Sequence, residues 1–222
     1  MLKLYYTTFS VYSRPVWIAL IEKELPFELV SLRLDGDHLQ TEFLAINPFN
    51  HVPVLVDDGF KVIESLAILD YLEAKYPIPA LLPKDFKALA LVRMVEMVTV
   101  NELIPAMISI IRQSKAPEKL ALANAKVTKV ISFFESLLGD NNYFGGQHIS
   151  LAEVVAGSTI PWLPYLDISL AEYPNLNAWS KRLMKRQAWK QTQPRSDEVE
   201  MFKRRIRILP RVRQKQYSRF YI

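Results

Sequence analysis

The sequence predicts an α/β unit followed by an all-α unit, and three observations carry that prediction. Over roughly the first 77 residues, short β-rich runs alternate with helix-period runs in the order β-α-β-α-β-β-α. A proline-rich break follows, at Pro77, Pro79 and Pro83. Beyond it, every periodic segment has helical spacing. Residues 1–78 are therefore expected to form one domain and 86–222 a second, with 77–85 as the linker.

Leu2-Lys3-Leu4-Tyr5-Tyr6 alternates and is rich in aromatics, as a strand is, and Thr7-Thr8 ends it. Ser13 to Glu24 reads as a helix with Val16, Trp17, Ala19, Leu20 and Ile21 on one side; Pro15 suits its first turn, where a missing N–H costs nothing. Phe27 to Leu32 is a second strand and Thr41 to Ile46 a short helical turn that stops at Asn47-Pro48. Val52 to Val56 is a strand. Asp57-Asp58-Gly59 is a hairpin turn, with Phe60 to Ile63 returning. Ser65 to Tyr76 is a helix with Ile68, Leu69, Leu72 and Tyr76 on one face.

In the second unit, Phe86 to Ser114 reads as a long helix bent near Pro105. Glu118 to Leu138 is another, and Asn175 to Lys185 a third. Leu151 to Trp162 is apolar nearly all round, as a buried central helix is. Its start is well specified. Ser150 at the N-cap and Glu153 at N3 form a capping box, flanked by Ile149 and Val154 as a hydrophobic staple.

Composition excludes several function classes. The chain has 222 residues, half of them hydrophobic, which is ample for a packed core. It has 6 Gly, and neither GxGxxG nor GxxxxGK[ST] occurs, so glycine-rich phosphate loops are out. It has no Cys, which removes disulfides, thiolate catalysis by the protein and cysteine-based zinc sites, and fits a reducing compartment. No metal site and no organic cofactor are expected. The first residues have no apolar stretch of signal-peptide length, and no window of about 18–20 residues lacks both charge and proline, so a cytoplasmic protein with no membrane span is expected. The net charge of +5 divides unevenly: residues 1–180 carry 14 Lys+Arg against 20 Asp+Glu, residues 181–222 carry 14 against 3. A basic tail can be a solvated extension or can meet nucleic acid, anionic membrane or an acidic partner; no nucleic-acid motif accompanies it.

Three motifs sit where chemistry is possible. Ser10-Val11-Tyr12-Ser13 follows the first strand at the mouth of the first helix, where a thioredoxin-like unit carries Cys-x-x-Cys. Hydroxyls replace both sulfurs, so dithiol exchange is impossible. A hydroxyl beside a helix N-terminus can donate to a bound thiolate and lower its pKa; Ser10 or Ser13 can equally be a plain cap. Val52-Pro53 enters a strand: a cis bond would turn the Val52 backbone outward to pair with an extended peptide, and an ordinary trans edge proline is the alternative. Glu64-Ser65 opens a helix, with Ser65 as the N-cap; free N–H groups there suit a carboxylate and Glu64 an ammonium group.

Taken in order, Tyr-Tyr-x-x-x-Ser-x-x-Ser-Arg-x-Val, Asn-Pro-Phe-x-x-Val-Pro-Val-Leu and Glu-Ser-x-Ala-Ile-x-x-Tyr-Leu resemble the cytosolic glutathione S-transferase family over most of the chain. The resemblance implies a thioredoxin-like N-terminal domain that binds glutathione, an all-helical C-terminal domain and a homodimer. Glutathione would be a co-substrate, and a hydrophobic electrophile the second. Ser10 matches the catalytic serine of the serine-type classes, with Tyr6 as the alternative that tyrosine-type classes use. Val52, before a cis Pro53, matches the residue whose backbone pairs with the cysteinyl part. Glu64 and Ser65 match the pair that holds the γ-glutamyl group. His51, and less closely His38, match positions that reach the glycyl carboxylate. The electrophile pocket would be lined by Phe9, Tyr12, Ile104, Met107, Ile108, Ile111 and Trp162, with Arg112 near its wall.

The chain departs from any one class, so the class stays open. The absence of Cys excludes the cysteine-nucleophile classes. The extension from about residue 195, with Lys203-Arg204-Arg205-Ile206-Arg207 and a Tyr217–Ile222 end, stands outside the resemblance; covering the pocket, extending the dimer and binding a partner are its three open roles. The rival to an enzyme is a non-catalytic interaction module of the same fold whose basic tail binds RNA or an acidic protein.

Overall fold

The computed structural model of the chain describes residues 1–8, 10–32, 41–112, 116–195, 197–204 and 206–207. Phe9, His38 and the tail from 208 onward lie outside the described residues.

The first part is β1 (Leu2–Tyr6), α1 (Ser13–Glu22), β2 (Phe27–Ser31), α2 (Thr41–Leu44), β3 (Val54–Asp57), β4 (Phe60–Ile63) and α3 (Ser65–Lys75). The strands form one mixed sheet in the order β2-β1-β3-β4. β1 runs parallel to β2, with Leu4 opposite Leu29, and antiparallel to β3, with Leu4 opposite Leu55. This is the thioredoxin-like βαβαββα arrangement, followed by helices alone. Asp58 and Gly59 both have positive φ, 47° and 88°, as a tight two-residue hairpin turn between β3 and β4 requires.

Two boundaries differ from the sequence pattern for visible reasons. α1 ends at Glu22 rather than Glu24, because Glu24 takes a left-handed φ of 53° and the Leu25 N–H donates back to the Leu20 carbonyl at 3.1 Å, closing the helix as a Schellman motif does. That turn leaves Lys23 buried. Its ammonium donates to the carbonyls of Tyr76 and Pro79 at 2.7 and 2.8 Å and pairs with Glu73 at 2.6 Å. The proline-rich connection is thus clamped rather than free. β3 starts at Val54, not Val52, since Pro53 has no N–H to give the ladder.

The helical part is α4 (Phe86–Val98), a π-helical turn (Thr99–Leu103), α5 (Ile104–Arg112), α6 (Pro117–Leu138), α7 (Leu151–Thr159), a 3₁₀ segment (Ile160–Leu166), α8 (Pro174–Leu183), α9 (Gln187–Thr192) and a terminal helix at residues 197–204. The expected bend near Pro105 is realised as the π turn just before it: proline cannot bond back one turn, and the wider turn absorbs the mismatch. Phe86–Arg112 is long and apolar enough, by length and mean hydropathy of 1.6, to cross a bilayer. Here it is a core helix, with Val92, Val95, Leu103 and Ile104 buried. α7 stops at Thr159 because Pro161 and Pro164 force the tighter 3₁₀ geometry.

Every residue of α7 is buried. Its capping box is present: Ser150 Oγ accepts from the Ala152 N–H at 3.2 Å, and the Ser150 N–H donates to Glu153 at 2.8 Å. Glu153 also accepts from the Ser150 hydroxyl, the Phe144 N–H and Trp179 Nε1 at 2.7, 2.7 and 3.2 Å. Burial raises its pKa, and these four donors oppose the rise. At Gly157 a Cβ would lie 2.3 Å from Leu183 Cδ1, so only glycine lets α8 and α9 approach.

The two parts share one core. Arg14 of α1 is buried; its Nη1 donates to the Ser158 carbonyl at 2.8 Å and its Nε to Thr192 Oγ1 at 3.3 Å. Burial pushes the guanidinium down to about 10. Arg186 forks onto Glu22 at 2.9 and 2.7 Å, a second bond between α1 and the helical part.

Candidate active site

The turn after β1 is wound tightly into α1. The Ser10 N–H donates to the Thr7 carbonyl at 3.0 Å, and the Ser10 carbonyl accepts from the N–H groups of Ser13 and Arg14, both at 3.1 Å. Ser10 Oγ also accepts from the Ser13 N–H at 3.1 Å. The N-cap position is Tyr12, which makes no side-chain cap. Ser10 thus has its lone pairs turned to the helix end, and among the described residues nothing accepts its hydroxyl hydrogen. Accepting from a helix N-terminal N–H polarises the hydroxyl and strengthens it as a donor. Ser13 is fully buried and its Oγ has no partner among the described residues. Of the two serines, Ser10 alone is reachable.

A second backbone feature comes from the loop before β3. Asn47, buried at the end of α2, accepts from the Phe49 N–H at 3.0 Å and donates to the His51 carbonyl at 2.7 Å. Its own carbonyl accepts from the Asn50 N–H at 3.1 Å. This one side chain fixes the loop that presents His51, Val52 and Pro53. The Val52–Pro53 bond is cis, and so is Ile78–Pro79, which the sequence did not point to. Pro53 is buried, Val52 half-buried and the His51 ring exposed.

The third piece is the start of α3, and here the N-cap is Glu64, not Ser65 as the sequence predicts. Glu64 sits at φ 68°, ψ 120°, a left-handed position that costs a non-glycine residue on the order of 1–3 kcal/mol. It makes no side-chain cap, so its carboxylate is left exposed beside the helix's first N–H groups. Ser65 is the first helical residue and is buried. Tyr12 connects this end to α1: burial raises its phenol pKa, and the nearby Glu64 charge raises it further. Tyr6, the alternative activating group, packs edge-on against Trp17 with ring centroids 5.2 Å apart. Burial raises its phenol pKa too, as a core tyrosine's should be.

Ile104, Met107, Ile108 and Ile111 of α5 converge with Trp162 on one apolar cavity, as the sequence reading groups them. Val11, the residue after Ser10 in the chain, also lines it. Tyr12 is not among its lining residues, and Arg112 is exposed at the end of α5. Tyr165, Leu166 and, from the terminal helix, Val199, Phe202 and Lys203 complete the walls. The free volume left is about 20 Å³, room for about one water molecule. Among the described residues, no group of three or more His, Asp or Glu gathers to hold a metal ion.

The described residues thus offer a hydrogen-bond donor at one helix end, an exposed carboxylate at another, a fixed loop backbone and an apolar cavity. Residues 4–80 match a family model described as the glutathione S-transferase N-terminal domain, and residues 85–187 match its C-terminal domain. The chain is 30% identical over 186 residues to a maleylacetoacetate isomerase of Mus musculus, covering 81% of this chain and 86% of that one. It is 33% identical over 195 residues to glutathione S-transferase 1 of Dianthus caryophyllus, covering 84% and 88%. Among solved structures, it resembles a Sulfitobacter glutathione transferase homologue with bound glutathione at TM-score 0.77 and 26% identity, covering 87% of this chain and 97% of that one. A Methylobacterium radiotolerans enzyme in complex with glutathione sulfonate gives 0.77 at 31%, covering 88% and 95%.

Proposed function

The chain belongs to the glutathione S-transferase family, and we propose that it transfers the glutathione thiolate to apolar electrophiles, with Ser10 as the group that stabilises the thiolate. The observation that carries this is the Ser10 hydroxyl, whose oxygen accepts from the Ser13 N–H at 3.1 Å while its hydrogen is unused among the described residues. The thiol of glutathione loses its proton to solvent, and the Ser10 O–H donates to the sulfur. A hydrogen bond to the charged form lowers the thiol pKa and raises the thiolate fraction near neutrality. The sulfur then forms a bond to the electrophilic carbon, and the leaving group departs with its electron pair.

Binding of the tripeptide would use what surrounds that hydroxyl. Glu64, with no side-chain cap to make, takes the γ-glutamyl ammonium group, and Ser65 with the first N–H groups of α3 takes its carboxylate. The Val52 backbone pairs with the cysteinyl unit, and the exposed His51 reaches the glycyl carboxylate. The acceptor sits against the apolar wall of the cavity, which has room for no more than its tip, and is held close enough to the sulfur for proximity to supply much of the rate. No metal or organic cofactor takes part in this reading. A homodimer is supported by the exposed apolar side chains Phe49, Met94 and Met97 and by a groove of about 560 Å³ whose lining includes Val98, Val130 and Phe133. A cysteine-free enzyme drawing on a pool of reduced thiol fits the cytoplasm.

The test is turnover by the purified chain against aryl halides, isothiocyanates and organic hydroperoxides, with isomerisation of a cis-alkene diacid added because of the isomerase relative. Saturable, glutathione-dependent turnover of at least one is the expected result. No turnover of any, with no binding of glutathione by calorimetry, would contradict the proposal.

A further inference from the structure

The apolar cavity that Val11 lines is closed by a part of the chain that lies beyond both matched segments, which end at residue 187. Val199 and Phe202 of the terminal helix, with Ile206 after it, turn inward and are buried at 1%, 8% and 8% exposure. The Phe202 ring meets Trp162 edge-on, with centroids 5.4 Å apart and planes at 79°. Phe202 is the largest side chain the helix contributes to the cavity, and with it in place only about 20 Å³ is left. The helix is held by more than this ring: Val199 and Ile206 pack with it, and Arg207 Nε donates to the Ile111 carbonyl at 3.4 Å.

Resting on the transferase reading above, we infer that Phe202 sets the size of the electrophile: docked against Trp162, it restricts the pocket to acceptors with a short tail. An apolar cavity on the order of 150 Å³ is what admits a benzene ring. The space in the wild-type chain is far below that, and replacing the Phe202 ring by a methyl group restores a volume of about that order. The identity of one side chain, in a segment outside the two matched domains, thereby decides between small and aryl acceptors. The cation on the same wall, Lys203, is paired with Glu200 at 2.7 Å, and two uncharged acceptors leave size as the variable.

Two isothiocyanates with the same reacting group and different tails, allyl and phenethyl, isolate the effect of size. In both, the thiolate sulfur bonds to the central carbon, the nitrogen takes a proton from solvent, and nothing leaves. The ratio of kcat/KM for phenethyl over allyl is measured for the full-length chain, Phe202→Ala and Phe202→Trp. The ratio is expected to rise about tenfold or more in Phe202→Ala and to fall in Phe202→Trp, with the KM for glutathione unchanged in both. The opposed shifts guard against unfolding, which would lower both rates together. Wild-type turnover of both compounds with the same ratio in all three proteins overturns this inference and leaves the transferase reading standing. If none of the three proteins conjugates either compound, this inference is overturned; the transferase reading falls with it only if the aryl halides and hydroperoxides are not turned over and glutathione does not bind.

Discussion

Two serines stand at two helix starts of this molecule, Ser10 before α1 and Ser150 before α7, and they are used in opposite ways. The Ser150 hydroxyl is saturated: it accepts from the Ala152 N–H at 3.2 Å and gives its hydrogen to Glu153 at 2.7 Å, all within the core. The Ser10 hydroxyl accepts from the Ser13 N–H at 3.1 Å, and among the described residues nothing accepts its hydrogen. Helix-end chemistry is the same at both. On the proposed reading, what separates a structural cap from a donor to the thiolate is whether the group still has bonding capacity to give. The start of α3 follows Ser10, with Glu64 strained into a left-handed conformation and making no cap. The sealed end lies deep in the helical part, while Glu64 at the start of α3 is close enough to Tyr12, at the start of α1, for its charge to raise the phenol pKa.

Substitutions at the two ends should therefore separate stability from activity. The largest effect is expected for Glu153→Ala. It strands four buried donors, two of them on Ser150, and should cost at least about 3 kcal/mol, seen as a fall of about 6–12 °C in Tm. Ser10→Ala should lower kcat/KM about 10²–10³-fold, the scale for losing one donor to a developing anion, and move Tm by no more than a few degrees. An equal loss of activity in the two variants at matched folded fraction would erase the contrast. Gly157→Ala should cost about 1–3 kcal/mol by forcing Leu183 and Trp189 off α7, again read in Tm, with activity per folded molecule retained.

The smallest effect concerns pH. Glu96 is buried on α4, and burial pushes its carboxyl up to about 7 despite the Arg93 guanidinium at 3.0 Å. Its folded pKa lies above the unfolded value, so the folded state favours the protonated form. That contribution is full below about pH 4.5 and is lost as pH rises toward about 7. Glu96→Gln should flatten the decline, so Tm plotted against pH for the two proteins should diverge across that window.

Much of this was legible in the sequence because it rests on local rules. The alternating strands, the Asp58-Gly59 hairpin and the Ser150–Glu153 box are each set by residues within a few positions of one another. The five cavity residues Ile104, Met107, Ile108, Ile111 and Trp162 were grouped from the family resemblance, and the structure does bring them together. The parts that were not legible depend on distant partners. Asn47 holds the Val52 loop through its side chain, yet an Asn before a proline reads only as a turn. α9 spans six residues, Gln187–Thr192, and is too short and polar to show a period. The placement of Glu64 rather than Ser65 at the N-cap follows from a backbone conformation that nothing in Glu-Ser announces. Phe202 sits in a basic run, and its burial follows from Trp162, forty residues earlier in the chain.

The thiol pKa of bound glutathione, followed through the ultraviolet absorption of the thiolate as pH is raised, puts the contrast between the two serines to the test. With the wild-type chain it should lie at least about one unit below the free-thiol value of about 8.5, and with Ser10→Ala it should return to about that value. A depressed pKa of the same size in both proteins would show that the thiolate is held by something other than the Ser10 hydroxyl.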